Sequence, residues 1–465
     1  MKEEIVFLPV RRLAALVRTR ELSPVALAET FIERLETLGP RYNAVVTVTR
    51  DRALTQARSA EREIAAGRYR GLLHGIPYGA KDLLATSDGI PTTWGAAPLR
   101  GQTFEEDATV IRRLEEAGAV LCAKLAMIEL AGGMGYRQPN ASFTGPCINP
   151  WSTDSWSGGS SSGSGVAVAA GLLPFAIGSE TWGSILSPAG SCGVAGLRPT
   201  YGRVSRHGAM ALSWTLDKLG PLGLMADDCG LVLAAIAGVD PADPTTSARP
   251  FRDDGAEIST RRFRFGVVRG VTEPCDEDVR ESFERSLEVL RRIGSVEEVV
   301  LPDLPWEEIT RTILQAEAAS AFEDLIESGR IAELTAPEDR YSAYARDAIL
   351  AKDYIKALRL RGVMAREADR TLSRLDALVA PGRTAVAPAL DQEIRGGMRG
   401  GRDLMGAIGN GAGLPAIIVP NGIGARGLPT SLQFMGRAWE ENTLLAAARA
   451  YQSLTDWHRR HPPVG

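Results

Sequence analysis

A lysine and several serines, spread over three short segments, are of the residue types that hydrolytic chemistry needs. Lys81 lies in the segment 75–82 (GIPYGAKD), between apolar stretches. A second segment, rich in Ser and Gly, occupies 157–165 (SGGSSSGSG), and a third, 178–184 (GSETWGS), ends at Ser184. A serine hydroxyl becomes a strong nucleophile when a neighbouring base takes its proton, and a neutral lysine can be that base. Burial lowers the pKa of a lysine, so the apolar neighbours of Lys81 favour its neutral form.

The segment 157–165 admits more than one interpretation. Its composition is that of a flexible linker, but an apolar run follows at once, which indicates the opening of a buried element. Residues 159–163 also fit the G-x-S-x-G pattern of a nucleophile elbow with Ser161 as nucleophile, a weakly specific pattern. An α/β-hydrolase would then need a histidine as its base. The histidines that follow in the chain are His207, His458 and His461.

A third interpretation unites the same segment with Lys81 and with 178–184. In this order, the three segments resemble the amidase signature family, whose catalytic triad is Lys, cis-Ser, Ser. The resemblance covers nearly the whole chain and thins between residues 240 and 375. Further matching segments are 149–151 (NPW), 192–203 (CGVAGLRPTYGR), 216–221 (LDKLGP), 376–381 (DALVAP), 413–416 (GLPA) and 427–436 (GLPTSLQFMG).

The resemblance implies a role for each of these polar residues. It places the nucleophile at Ser184, the base at Lys81 and the bridging cis-Ser at Ser160, which would relay the proton between the other two. Backbone amides of the last motif would bind the oxyanion of the reaction intermediate. The oxyanion hole would consist of the N–H groups of Thr181, Trp182, Gly183 and Ser184.

Four positions depart from the family pattern. The usual G-S-D-T-G-G-S has Glu180 in place of Asp and Trp182 in place of the first Gly. Leu186 stands where the family often has Arg, and Ser162 replaces a Gly of the second segment. These changes argue against a glutamine-hydrolysing amidotransferase component, which the stretch 192–221 otherwise resembles.

The indole of Trp182 has two possible positions: a wall of the substrate pocket, or packing behind the loop. The resemblance places Tyr136 and Trp94 near the same loop, so we assign all three to the pocket. An aromatic wall favours flat apolar groups through area burial and offset stacking. We therefore predict a preference for aryl or bulky apolar amides, anilides or carbamates, as in aryl acylamidases and urethanases of the family.

Composition and motifs exclude several classes of function. The 465 residues include 53 basic and 57 acidic side chains, a balance that does not favour nucleic acid. The four His and five Cys lack metal-ligand spacing, and the phosphate-binding glycine motifs are absent, so we expect neither metal nor cofactor. The sequence has no run of 18 apolar residues, so we expect no membrane span. The acidic N-terminus does not resemble a secretory signal. We expect a cytoplasmic protein.

The elements that must position these residues follow from local patterns. Short apolar runs alternating with helices indicate an α/β fold, which the resemblance specifies as a mixed central sheet covered by helices on both faces. We expect one amidase signature domain with four parts: N-terminal helices (1–69), the catalytic core (70–235), a divergent substrate-shaping region (240–375) and a C-terminal part of the core sheet (376–465). Local predictions are strands at 263–268, 296–301, 414–420 and 432–435, helices at 24–35, 276–293 and 440–455, and a Gly-dense loop at 394–413.

These predictions combine into one function with two alternatives. We expect a serine amidohydrolase that cleaves the C–N bond of a small-molecule amide or carbamate through an acyl-enzyme on Ser184. We expect it to act as a monomer or homodimer. The alternatives are a glutaminase-like subunit of a tRNA amidotransferase complex and an α/β-hydrolase-type esterase that uses Ser161.

Overall fold

The computed structural model describes residues 5–253, 255, 260–346, 348–394 and 403–463. The helices are α1 (Val10–Arg18), α2 (Pro24–Thr37), α3 (Arg50–Ala65), α4 (Thr109–Glu116), α5 (Ser162–Ala169), α6 (Leu186–Cys192), α7 (Ala226–Ile236), α8 (Glu277–Ile293), α9 (Trp306–Ala321), α10 (Glu323–Glu327), α11 (Pro337–Arg346), α12 (Ala351–Leu372), α13 (Leu404–Gly411) and α14 (Glu441–Ser453). The strands are β1 (Val45–Val48), β2 (Pro77–Lys81), β3 (Val120–Leu125), β4 (Ile148–Asn149), β5 (Ser152–Trp156), β6 (Phe175–Glu180), β7 (Ala195–Arg198), β8 (Lys218–Gly223), β9 (Phe263–Val268), β10 (Gly294–Val299), β11 (Ala377–Pro381), β12 (Ala416–Ile423) and β13 (Pro429–Met435).

A mixed sheet of eleven strands forms the centre of the molecule. Its strand order is β1-β3-β2-β6-β8-β7-β12-β13-β11-β9-β10, and β4 and β5 form a separate two-stranded ribbon. Neighbours pair in parallel at β3-β2-β6 and at β11-β9-β10, and the remaining neighbours are antiparallel. The predicted α/β fold with a mixed central sheet is therefore confirmed.

The central strands bring two chemically important positions to one edge of the sheet. Strands β2 and β6 run parallel and are adjacent, and every residue of both is buried. The carboxyl ends of parallel strands lie at the same edge, so Lys81, the last residue of β2, lies near the end of β6. Gly79 makes this close pairing possible, because a Cβ there would lie 2.5 Å from a carbon of Leu125. The sheet thus places Lys81 next to the turn that follows β6.

The N-terminal region is less purely helical than predicted. Helix α2 begins as expected: Ser23 Oγ accepts hydrogen bonds from the amides of Val25 and Ala26, both at 3.1 Å. The run 45–48, however, forms the edge strand β1, which pairs antiparallel with β3. Three of its four residues are valines, and β-branched residues suit a pleated edge better than a helix.

The predicted Gly-dense loop at 394–413 is wrong over its second half, which forms α13. The carboxylate of Asp403 caps this helix by accepting a hydrogen bond from the Gly406 amide at 2.8 Å. Its glycines serve close packing, since a Cβ on Gly409 would lie 2.2 Å from the Arg198 guanidinium and one on Gly411 2.0 Å from Met364. Residues 395–402 lie outside the described residues.

The other local predictions differ from the structure by only a few residues. The strand at 263–268 is found with its predicted bounds, and the following helix and strand are α8 and β10. Strands β12 and β13 and helix α14 correspond to the predicted elements near the C-terminus. Within the described part of the chain, no helix is long and apolar enough to span a membrane.

Candidate active site

Lys81 is fully buried, and its ammonium nitrogen contacts two serine hydroxyls. Its Nζ lies 2.8 Å from Oγ of Ser160 and 2.9 Å from Oγ of Ser179. The first contact joins two of the three residues predicted to form the triad. Ser179 was not predicted, although it precedes the end of β6, the strand parallel and adjacent to the strand of Lys81.

Lys81 forms no ion pair with the carboxylates of the described residues, although Asp82 is its neighbour in sequence. Asp82 is bound instead by Lys124 of β3, whose Nζ lies 3.1 Å from its Oδ1, and by the amide of Thr93 at 3.0 Å. Burial lowers the pKa of Lys81 to about 7, against the opposing effect of the more distant Asp217 and Glu180 charges. A lysine with this pKa is substantially neutral near neutral pH and can accept a proton.

Ser160 lies in the turn that leads into α5. The peptide bond between Gly159 and Ser160 is cis, as the family resemblance implied for this position. The Ser160 carbonyl accepts a hydrogen bond from the amide of Ile128 at 3.1 Å, and the Ser161 amide donates to the carbonyl of Ser184 at 3.2 Å. These backbone bonds hold the turn against the segment that contains Ser184.

The turn after β6 is organised by the carboxylate of Glu180. One of its oxygens accepts hydrogen bonds from the amides of Ile185 at 2.9 Å and Leu186 at 3.0 Å. The other oxygen is bound by Arg198 at 2.7 Å, and both side chains are fully buried. Burial alone would raise the pKa of Glu180, but the charges of Arg198 and Lys218 outweigh it and lower the pKa to about 2. Glu180 is therefore ionised and fixes both ends of the turn.

The amides within this turn are available to a substrate. Among the hydrogen bonds of the described residues, none has the amide of Trp182, Gly183 or Ser184 as its donor. Backbone N–H groups that have no acceptor within the protein can bind an oxyanion that forms beside the turn. The amides of the next two residues are already bound by Glu180, so the free donors are confined to the predicted oxyanion segment.

The side chains of Ser184 and Ser160 are not hydrogen-bonded to each other in the described structure. Ser184 is 8% exposed and Ser160 is 1% exposed, so only the former reaches solvent appreciably. Hydrogen bonds of catalytic groups are often completed only when substrate binds. The structure brings the three predicted triad residues to one place and joins two of them directly.

Ser161, the nucleophile of the alternative hydrolase interpretation, faces the protein interior. It is fully buried, and its hydroxyl lies between the carbonyl and the amide of Ser179, at 3.2 Å from each. None of the histidines described in the structure contacts it: His74 lies beside Glu63, for example, and His461 stacks on Phe7. The nucleophile-elbow interpretation is therefore not supported.

Each of the three aromatic residues assigned to the pocket has its own partner in the described structure. The indole N–H of Trp182 donates to Asp403 at 2.8 Å, and its ring lies under the guanidinium of Arg311. Each of the other two rings has a separate aromatic partner in the described structure. Trp94 stacks on Phe104 with centroids 6.5 Å apart, and Tyr136 meets Trp156 edge-on at 6.0 Å.

Two adjoining cavities lie near the end of β6. A narrow one of about 20 Å³ is lined by Ser179, Thr181 and Asp217, close to Lys81. A larger one of about 530 Å³ lies between the 211–215 loop and the helices α9 and α12. The two share Ala211 and Trp214 in their walls, and the indole of Trp214 is 55% exposed. The larger cavity has the size of a small-molecule site.

Three further groups of the site escaped the sequence analysis. Ser179 touches Lys81, Arg198 holds Glu180, and Asp217 accepts a hydrogen bond from the Thr181 hydroxyl at 2.5 Å. All three lie within the segments that resemble the family, and the polar residue types at buried positions in or next to strands were the available signal. Among the described residues, no three His, Cys, Asp or Glu side chains are grouped as metal ligands would be.

Comparison with known proteins identifies the family. The chain matches the family model Amidase over residues 26–445. It is 38% identical to "Putative amidase AmiD" of Mycobacterium tuberculosis, across 100% of this chain and 97% of that protein, and 36% identical to a glutamyl-tRNA(Gln) amidotransferase subunit of Moorella thermoacetica, across 99% of each. The crystal structure of native peptide amidase from Stenotrophomonas maltophilia matches with a TM-score of 0.85 and 33% identity, covering 98% of each chain. The chain therefore belongs to the amidase family, as its three motif segments indicated, and is a hydrolase of carbon–nitrogen bonds.

Proposed function

We propose that the protein hydrolyses amide or carbamate bonds through a covalent intermediate on Ser184. Its Oγ attacks the carbonyl carbon while its proton passes through Ser160 to the neutral amine of Lys81. The tetrahedral intermediate collapses, and the leaving amine takes a proton back along the same relay. Water, deprotonated by Lys81 in the same way, then attacks the acyl group and releases a carboxylic acid from an amide. From a carbamate it releases a carbonic acid monoester, which breaks down to the alcohol and CO2, and Ser184 is regenerated in either case.

The observation that carries this proposal is the contact between Lys81 and Ser160. A buried lysine without a carboxylate partner, 2.8 Å from a serine hydroxyl, has the environment of a base rather than of a structural cation. The same lysine paired with Asp82 would stay protonated, but Asp82 is bound by Lys124. Activation of serine by neutral lysine needs no histidine.

The free amides of Trp182, Gly183 and Ser184 support the stabilisation of the tetrahedral intermediate in this mechanism. Donors fixed before the reaction stabilise the developing oxyanion without further reorganisation. Glu180 keeps them in place, since its carboxylate binds the amides of the two residues that follow.

We further propose that preferred substrates carry an aryl or bulky apolar group, which occupies the 530 Å³ cavity. Its walls include the indole of Trp214 and the small or aliphatic side chains of Ala316 and Ile349. Burying an aromatic ring against such walls is favourable through the apolar area removed from water. This basis differs from the aromatic wall expected at Trp182, because that indole is engaged by Asp403 and Arg311.

A second candidate function is the glutaminase-like subunit of a transamidation complex. It is favoured by the relatives named as glutamyl-tRNA(Gln) amidotransferase subunits, two of which match 99% of this chain. The two functions differ in whether the chain hydrolyses an amide without partner proteins.

The deciding experiment uses the purified full-length chain with a panel of acetanilides, aryl carbamates, aliphatic amides and glutamine. We expect hydrolysis of aryl substrates without added protein or nucleotide, and its loss in Ser184→Ala. A serine-directed sulfonyl fluoride should label Ser184, whereas Ser161→Ala serves as the control variant and should still be labelled. Labelling of Ser161 instead, or glutamine as the best substrate, would contradict the proposal.

A further inference from the structure

Arg383 is a cation beside the nucleophile turn that the proposed mechanism does not use. It follows β11, and its Nη1 donates a hydrogen bond to the hydroxyl of Ser187. Ser187 lies three residues after Ser184, and its own amide donates to the carbonyl of Gly183 at 2.7 Å. The guanidinium is thus attached to the turn that carries the nucleophile and the oxyanion amides.

This guanidinium makes one hydrogen bond among those of the described residues. Its Nε is buried and has no acceptor, and Arg383 forms no ion pair with any carboxylate of the described residues. A guanidinium has five N–H donors, and the bond to Ser187 uses one of them. The residue as a whole is only partly buried, so its remaining N–H groups are accessible to a ligand beside the nucleophile turn.

The surroundings of Arg383 show that the protein does not neutralise it. Burial lowers its pKa, and the groups that oppose this effect are Tyr136, Asp403 and Cys192. Of these, Asp403 is the only carboxylate, and it accepts hydrogen bonds from the amide of Gly406 and the indole of Trp182. The positive charge therefore lies beside the nucleophile turn without a direct counter-ion among the described residues.

We infer that Arg383 binds a carboxylate carried by the substrate, so that the enzyme favours amides that are also acids. This inference rests on the proposed function and specifies its substrate class. The planar guanidinium suits a carboxylate, because two parallel N–H groups can bind its two oxygens. The bond to Ser187 fixes the fork relative to Ser184, which sets the distance between the substrate's carboxylate and its scissile carbonyl. The apolar group of the substrate occupies the separate cavity beside Trp214.

The test compares substrates that differ only in charge. On the acyl side, succinanilate is paired with the anilide in which an isopropyl group replaces the carboxylate. On the amine side, para-acetamidobenzoate is paired with para-isopropylacetanilide. In the wild-type enzyme we expect one carboxylate substrate to have a kcat/KM at least about 10-fold above that of its isostere, which identifies the side that faces Arg383.

Variants of Arg383 then separate recognition from structure. In Arg383→Gln, kcat/KM for the preferred carboxylate substrate should fall about 10- to 100-fold, mainly through a higher KM. The kcat/KM for its neutral isostere should change less than about 3-fold. Arg383→Lys should recover part of the loss, because it keeps the charge without the fork. The control Arg269→Gln removes an exposed arginine that pairs with Glu298, and it should leave kcat/KM for both substrates unchanged.

Two results would overturn the inference. An equal fall of kcat/KM for the charged and neutral substrates in both Arg383 variants would show that Arg383 has a purely structural role on the nucleophile turn. Absence of any preference for a carboxylate in the wild type would do the same. Either result leaves the proposed amide hydrolysis intact, because the neutral anilides still report Ser184-dependent activity. If no amide at all is hydrolysed, the proposed function itself fails.

Discussion

Three buried lysines show how the environment of a residue decides its chemistry. Lys124 is paired with Asp82, and Lys218 donates to the side-chain oxygen of Asn410 at 2.8 Å. Lys81 contacts only serine hydroxyls through its Nζ in the described structure, so burial is not compensated by a nearby negative charge. Burial without a carboxylate partner favours the neutral form of a lysine, which is the form that a general base needs.

The first prediction concerns the pH dependence of the reaction. Because Lys81 must be neutral to act as base and its pKa is lowered to about 7, kcat/KM should rise with pH through about 7 and then level off. Lys81→Ala should lose about 10³-fold or more of the activity, since the triad acts as a unit. The measurement is kcat/KM for an anilide between acid and mildly alkaline pH.

His207, one of the histidines that the α/β-hydrolase interpretation offered as a base, provides the control for this prediction. His207→Ala should retain both the activity and the pH profile of the wild type. Loss of activity in that variant, together with retention in Lys81→Ala, would show that lysine is not the base.

At the scale of an element, the turn between β6 and α6 depends on one buried ion pair. The carboxylate of Glu180 accepts hydrogen bonds from two amides of the turn and from the guanidinium of Arg198, the last residue of β7. Arg198 also donates from its Nε to the carbonyl of Leu414 at 3.1 Å, so the turn is tied to the segment between α13 and β12. The turn that carries the proposed oxyanion amides is therefore held by long-range contacts rather than by its local sequence alone.

The second prediction tests this ion pair. In Glu180→Gln the neutral amide cannot compensate Arg198, and the carboxylate that held two turn amides is lost. Leaving a buried charge unpaired should lower the free energy of unfolding by about 3 kcal/mol, measured by denaturant titration. Displaced oxyanion donors should lower kcat about 10²-fold, with a smaller effect on KM.

A surface ion pair serves as the control for Glu180→Gln. Arg50 and Glu36 form a bidentate pair that is about half exposed, so Glu36→Gln should change stability by less than about 1 kcal/mol and leave kcat unaltered. If Glu180→Gln is destabilised as predicted but keeps wild-type kcat in the folded protein, Glu180 stabilises the fold without positioning the oxyanion amides.

At the scale of the whole molecule, one sheet connects the part that holds the triad with the part that we expected to shape the substrate site. Strands β9 and β10 of the divergent region extend the same sheet beyond β11. The helices α9 and α12 of that region line the 530 Å³ cavity, opposite Trp214 of the core. In the proposed function, chemistry and specificity come from different parts of the chain that meet at this cavity.

The third prediction tests whether the cavity receives substrate. Ala316→Phe places a ring in the cavity, so kcat/KM for a bulky aryl amide should fall about 10-fold or more, while a small acetamide is little affected. Ala319→Phe is the matched control on the same helix, since Ala319 is not part of the cavity wall. Equal effects of both variants on both substrates would show that the cavity lies outside the substrate site.

Much of the candidate site could be predicted from sequence, because its motifs are short and contiguous. The segments around Lys81, Ser160 and Ser184 were sufficient to indicate the family and to nominate the triad. The helix cap at Ser23 and the strand at 263–268 were also local signals, carried by residue type and spacing. The error at α13 has a local cause as well: glycine-rich sequence favours loops unless tertiary packing requires small residues, as at Gly409 against Arg198.

Other properties were decided only by the tertiary structure. Asp82 could have paired with Lys81, and only the register of β2 against β3 shows that it pairs with Lys124 instead. The contact of Lys81 with Ser160 spans 79 residues, and that of Arg383 with Ser187 spans 196. Burial, the pairing of charges and the shape of a cavity depend on which distant segments meet. The sequence therefore determined which groups are present and their local structure, while the packing of the sheet and helices determined which of those groups are neutral, paired or free to bind substrate.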